Sequence, residues 1–142
     1  MAIREHPGQG TVVVCDYSEG FVEPEMVKRR PALVLCPRIR ARAGLCTVVA
    51  LSTTPPEQTM PYHCEIELPF ALPPPFDSKT VWIKGDMVNA VGFHRIDLFR
   101  LGKDAAGKRR YLMTPVGGEI LLQARRCILH GLGLSMLTKE LK

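Results

Sequence analysis

No apolar run in the chain approaches the roughly 18 residues that a membrane-spanning helix needs. The opening MAIREHPGQG has no apolar core of a secretory leader. A cytoplasmic protein that does not enter a membrane is expected. The five cysteines (Cys15, Cys36, Cys46, Cys64, Cys127) are odd in number and include no CxxC pair. Four lie in apolar, strand-like runs, so they read as small buried hydrophobes in a reducing compartment. No Cys/His spacing matches a zinc ligand set, and neither a metal nor another cofactor is expected. A Gly-rich phosphate loop is missing too, since Gly117-Gly118 alone is too short a signal. Internal repeats and low-complexity tails are also lacking.

What is present fits one domain spanning residues 1–142, long enough to bury about two thirds of its unfolded surface. Nineteen basic against fourteen acidic side chains leave a net charge of +5, which favours an acidic or nucleic-acid partner. Valine-rich TVVVCDY (11–17) reads as a first strand. A polar loop broken by Gly20 and Pro24 follows. ALVLC (32–36) and LCTVVALS (45–52) are nearly continuous apolar runs, expected at the centre of the fold and buried on both sides. YHCEIEL (62–68) alternates, with His63, Glu65 and Glu67 on one face. KTVWIK (79–84) is a fifth strand, and residues 86–97 continue as extended or turning chain. KRRYLM (108–113) adds a short last strand. From Glu119, a 3.6-residue stripe of Ile120, Leu121, Ala124, Cys127 and Ile128 marks a helix that Gly131 and Gly133 can end. The pattern is mainly β within the α+β class: a small, strongly bent antiparallel barrel or sandwich closed by a C-terminal α-helix.

Two segments carry the chemistry. In KRRPALVLCP (28–37) a basic turn feeds a buried strand, and in VVALSTT (48–54) an apolar strand ends in hydroxyls. A guanidinium and clustered Ser/Thr hydroxyls at the mouths of neighbouring strands suit a phosphodiester.

In order along the chain, GTVVVCD (10–16), RRPALVL after an acidic loop, VVALSTT with the downstream PYHCEIEL, and WIKGDMVNAVGFHRID resemble the PemK/MazF family of type II toxins. The resemblance covers about Gly10 to Asp97. It implies an SH3-like barrel, a homodimer, sequence-selective cleavage of single-stranded mRNA without metal or cofactor, and neutralisation by a cognate antitoxin. By that resemblance Arg30 matches the active-site arginine, and Thr53 the active-site hydroxyl with Ser52 and Thr54 beside it. Glu25 matches an acidic loop residue, and Asp86 a position some members use as the base. Lys84 stands where some members have arginine. The doubled charge at Arg29, the missing Gly–x–Glu–Gln pattern in the first loop and an apparent insertion at 101–114 depart from the family.

Metal-free RNA cleavage has the neighbouring 2′-OH attack phosphorus, so a base, a proton donor and fixed positive charge are needed. Arg30 is a better charge stabiliser than acid, because its pKa lies above about 12. The Thr53 hydroxyl orients the phosphate, and either Glu25 or Asp86 serves as base. Lys28, Arg29, Ser52, Thr54, Lys84 and His63 are candidate RNA contacts. Trp82 and Phe93 are candidates for stacking bases, with the core as the competing place for both. The basic groups Arg38/Arg40/Arg42 and Lys108/Arg109/Arg110 read as solvated surface or as a track for an RNA backbone. A barrel of the CcdB type, which inhibits a topoisomerase by protein–protein contact, is the alternative, and fold alone does not separate the two.

Overall fold

The structure, a computed structural model, describes residues 2–142. Its main sheet has six antiparallel strands: β1 (Val12–Asp16), β2 (Arg29–Val34), β3 (Leu45–Ser52), β4 (His63–Glu67), β5 (Thr80–Gly92) and β6 (Ile96–Leu98). Their order across the sheet is β4-β5-β3-β2-β1-β6. The order has two ends, so the sheet is open and not a strictly closed barrel. The five residues of β4 and the three of β6 form its edges. A separate hairpin, β7 (Arg100–Lys103) with β8 (Arg109–Tyr111), occupies most of the 101–114 segment. The helix α1 (Gly118–Gly131) comes last, followed by a 3-10 turn at Ser135–Glu140.

Alternation along the central strands divides their side chains between two cores, as expected of runs that are apolar on both sides. On one face Val12, Val14, Leu33, Val49, Leu51 and Ile83 meet α1 through Ala124 and Cys127. On the other, Val13, Cys15, Ala32, Val34, Val48 and Ala50 meet Tyr17 and Met26 from the first loop. Burial raises the thiol pKa of Cys15 and Cys46 to about 11 and that of Cys127 to about 12. All three stay protonated thiols at neutral pH, packing as hydrophobes.

Two boundaries differ from the sequence reading. Strand β2 begins at Arg29 and runs through Pro31, which lies level with Val14 of β1. The stretch expected to turn after Lys84 instead continues β5 to Gly92. Its register against β3 jumps from Val49↔Val88 to Leu51↔Ile83, so β5 carries a bulge around residues 84–87. The bulge lets Gly85 lie against the helix. A Cβ there would sit 2.5 Å from the Cys127 carbonyl, and one on Gly131 would sit 2.8 Å from the Gly85 oxygen. Two glycines thus permit backbone-to-backbone contact between β5 and α1. Gly85 is a packing residue, and Gly131 packs as well as ending the helix.

Candidate active site

The loop-covered core does not extend across the whole sheet. Beyond it, towards β4, the same face carries polar side chains, and strand register lines them up. Cys15 lies level with Arg30, Ser52 with Trp82, and Trp82 with Glu65. Extending the Ala32↔Ala50 pairing by two residues sets Arg30 level with Ser52. Side chains of directly opposed residues share a face, so Arg30, Ser52, Trp82 and Glu65 form one row across four strands. Lys84 and His63 are paired in the next row.

Arg30 is half-buried, and its Nε donates to the Val27 carbonyl at 2.9 Å. That bond orients the guanidinium and leaves its outer N–H groups to a ligand. Tyr17 lies wholly buried nearby. Burial raises its phenol pKa, and the Arg30 charge opposes the rise. The loop between β1 and β2 is held down from the far side. Arg95 Nη1 donates to the Asp16 and Glu19 carbonyls at 3.1 and 2.7 Å, and its guanidinium stands 4.7 Å from the Phe21 ring centre. Arg95 is therefore a clamp on this loop.

At the end of β3 the hydroxyls take different roles. Ser52 is 5% exposed, donates to the Thr54 carbonyl at 3.0 Å and accepts from Thr54 N–H at 3.1 Å. Thr53 and Thr54 lie past the strand end and are exposed. The register thus brings Ser52, more directly than Thr53, to the level of Arg30.

The two carboxylates differ in their tethering. Glu25 is exposed, and its Oε2 accepts from Val22 N–H at 2.8 Å within its own loop. Asp86 is exposed beside the β5 bulge, close enough to His63 for its charge to support the imidazolium. The His63 pKa is nevertheless lowered, by burial first and then by Lys84. Its Nδ1 accepts from Met60 N–H at 3.1 Å, so the neutral ring carries its hydrogen on Nε2. With Nδ1 occupied, His63 is poorly arranged to take a proton from a substrate.

Other candidates separate in space. Arg29 falls on the opposite face from Arg30, in a cleft with Pro73, Phe76 and Asp97. Lys28 is exposed at the loop end in a left-handed conformation, φ 72°, with its carbonyl bound by Tyr17 N–H at 2.8 Å. Of the two aromatics, Trp82 stands in the polar row, whereas Phe93 packs on the loop-covered core. Glu65 joins the row although sequence reasoning did not single it out. Its alternation with His63 in HCEIE was the available signal. Among the described residues, no three His, Cys, Asp or Glu side chains are grouped to hold a metal ion, and no helix is long and apolar enough to cross a membrane.

Residues 8–109 match the family described as PemK-like, MazF-like toxin of type II toxin-antitoxin system. The chain belongs to this family. An uncharacterized protein of Haemophilus influenzae is 27% identical over 149 aligned residues, covering 96% of this chain and 98% of its own. The Escherichia coli protein YifN, also uncharacterized, is 28% identical, covering 93% and 95%. Among solved structures, MazF of Deinococcus radiodurans superposes with a TM-score of 0.60 at 20% identity, covering 92% of this chain and 99% of that one. A mycobacterial endoribonuclease in complex with its cognate antitoxin gives 0.55 at 20%, covering 90% and 96%. At such identity these likenesses speak for the PemK/MazF-like fold, an antiparallel sheet with a C-terminal helix.

Proposed function

We propose that this protein is the toxin of a toxin–antitoxin pair and an endoribonuclease that cuts single-stranded mRNA sequence-selectively, without metal, by attack of the 2′-OH. The observation that carries the reading is the oriented Arg30 guanidinium on an open polar face, level with the buried hydroxyl of Ser52. Arg30 stabilises the charge that develops on the phosphorane. The Ser52–Thr54 turn supplies the hydroxyl that orients the phosphate. Ser52 can keep its bond from Thr54 N–H while its own hydrogen rotates to a phosphate oxygen, and Thr53 offers an exposed hydroxyl next to it. Asp86 takes the 2′-OH proton: it is carried on β5 at the bulge, close to His63 and Lys84, whereas Glu25 is tied to its loop. Lys84 lies two residues from Asp86 and adds positive charge to that side. The family and the antitoxin-bound neighbour support a homodimer neutralised by a cognate antitoxin.

Incubation of the purified protein with single-stranded RNA in EDTA tests this reading. The wild type should cut, leaving a 2′,3′-cyclic phosphate or its hydrolysis product. Arg30→Ala should lose about 2–4 kcal/mol of transition-state stabilisation, in the range of one oxyanion donor. Asp86→Asn should suppress cleavage more than Glu25→Gln. Equal rates for wild type and Arg30→Ala would remove the assignment. Toxicity retained by Arg30→Ala would point instead to inhibition by contact.

A further inference from the structure

A second basic site lies at the other end of β2. The connector after Val34 carries Arg38, Arg40 and Arg42, and the N-terminal segment brings Arg4 and His6 against it. Together with Phe93 they line a cleft of about 420 Å³, in which Glu5 is the one carboxylate among the described lining residues.

The cleft is built, not merely charged. Arg42 Nη2 donates to Thr47 Oγ1 at 2.9 Å, fixing the guanidinium. The connector is pinned by Phe93 N–H, which donates to the Gly44 carbonyl at 2.9 Å. His6 lies edge-on to Phe93, ring centres 6.1 Å apart, with Nδ1 2.6 Å from the Pro7 carbonyl. A carbonyl only accepts, so Nδ1 carries the hydrogen and Nε2 is the nitrogen left for a ligand. Among the described residues, His6 Nε2 and Arg42 Nε are buried without a hydrogen-bond partner. Buried polar nitrogens are rarely left unpaired, and these two share a cleft with Arg4, Arg38 and Arg40. Arg42 Nε can only donate, so its missing partner is an acceptor. The acceptor that fits is an oxyanion.

We infer that this cleft binds backbone phosphates of single-stranded RNA that flank the segment held at Arg30. The inference rests on the RNA-cleaving reading of the Arg30 face. Leu45, next to the cleft residue Gly44, precedes Ser52 by seven residues along β3, about 23 Å at about 3.3 Å per extended residue. That is too far for a single phosphodiester to reach both sites. Phe93, in the cleft wall, packs on the same core as Cys15, which lies level with Arg30. Arginine forks pair bidentately with phosphate oxygens, and an RNA engaged at Arg30 brings further phosphates with it.

The test measures binding to the wild-type chain of 2′-O-methyl RNA, which lacks the attacking hydroxyl, in a short form and a long form. Arg38 and Arg40 are exposed, so Arg38→Ala/Arg40→Ala should fold normally. For this variant, long RNA should bind roughly tenfold more weakly, with the log–log salt slope reduced by about 1–2. Short RNA should bind as before. Arg42→Lys keeps the charge but loses the fork, and should also weaken the long RNA alone. Unchanged affinity for long RNA, or equal losses for both lengths, would overturn the inference. So would a loss confined to the antitoxin, which would assign the cleft to the protein partner. If the wild type binds RNA in this pattern yet never cuts it, the cleavage reading fails and the cleft stands.

Discussion

The two faces of the main sheet are covered by different means. One is sealed by a helix whose backbone touches β5 through Gly85 and Gly131. The other is covered by a loop that reaches only part-way, held by Arg95 and by Tyr17, Phe21 and Met26. The sealed face carries Arg29 and Asp97 only towards the β1 side, and the part-covered face presents Arg30, Ser52, Trp82 and Glu65. A small domain thus spends one face on stability and leaves half of the other for chemistry. If so, substitutions on the first face should act mainly on stability, and those on the open row mainly on activity.

The largest expected effect is Gly85→Ala. The new methyl would lie 2.5 Å from helix backbone, which no side-chain rotation relieves. A loss of about 3 kcal/mol is expected, at the upper end of ordinary overpacking, and urea unfolding would measure it. A loss below about 0.5 kcal/mol, within the range of a neutral surface change, would mean that the helix seal is loose and the contrast false.

A smaller effect separates the hydroxyls. Ser52→Ala should lower kcat by about tenfold or more, as loss of a phosphate-orienting donor does. It should also lower the melting temperature slightly, because the Thr54 turn loses its anchor. Thr53→Ala should be milder on both counts. The opposite ranking in single-turnover cleavage would return the principal role to Thr53.

The smallest effect concerns pH. Burial and Lys84 lower the folded-state pKa of His63, so protonation favours the unfolded chain. His63 should contribute stability fully above its unfolded pKa near 6.5, and that contribution should decline as pH falls through 6.5 towards the lowered folded value. His63→Gln should flatten this part of the stability profile between about pH 8 and pH 5. An unchanged profile would show that His63 is not held neutral by the fold.

Much of the fold was legible because its signals are local. Valine runs, the alternation in YHCEIEL and the helical stripe after Glu119 each report a period that backbone geometry imposes. The β5 bulge was not legible. Gly85-Asp86 and Gly92 look like turn residues in isolation, and only contact with α1 shows why Gly85 is needed inside a strand. At the candidate site, Arg30 and the hydroxyl run stood out by chemistry. The separation of Arg29 from Arg30, the tie of Glu25 to its own loop and the entry of Glu65 into the row all depended on which strand lies beside which.

By itself the sequence determined the strands up to the start of β5, the C-terminal helix, the central place of β2 and β3, the family resemblance and the stock of phosphate-binding side chains. Those follow from periodicity and residue chemistry, which act within a few residues. Only the tertiary structure decided that the sheet stays open, that one face is sealed and the other exposed, and that the basic groups divide between the two ends of β2. Those depend on pairing between strands distant in the chain. There a one-residue change of register moves every side chain to the opposite face.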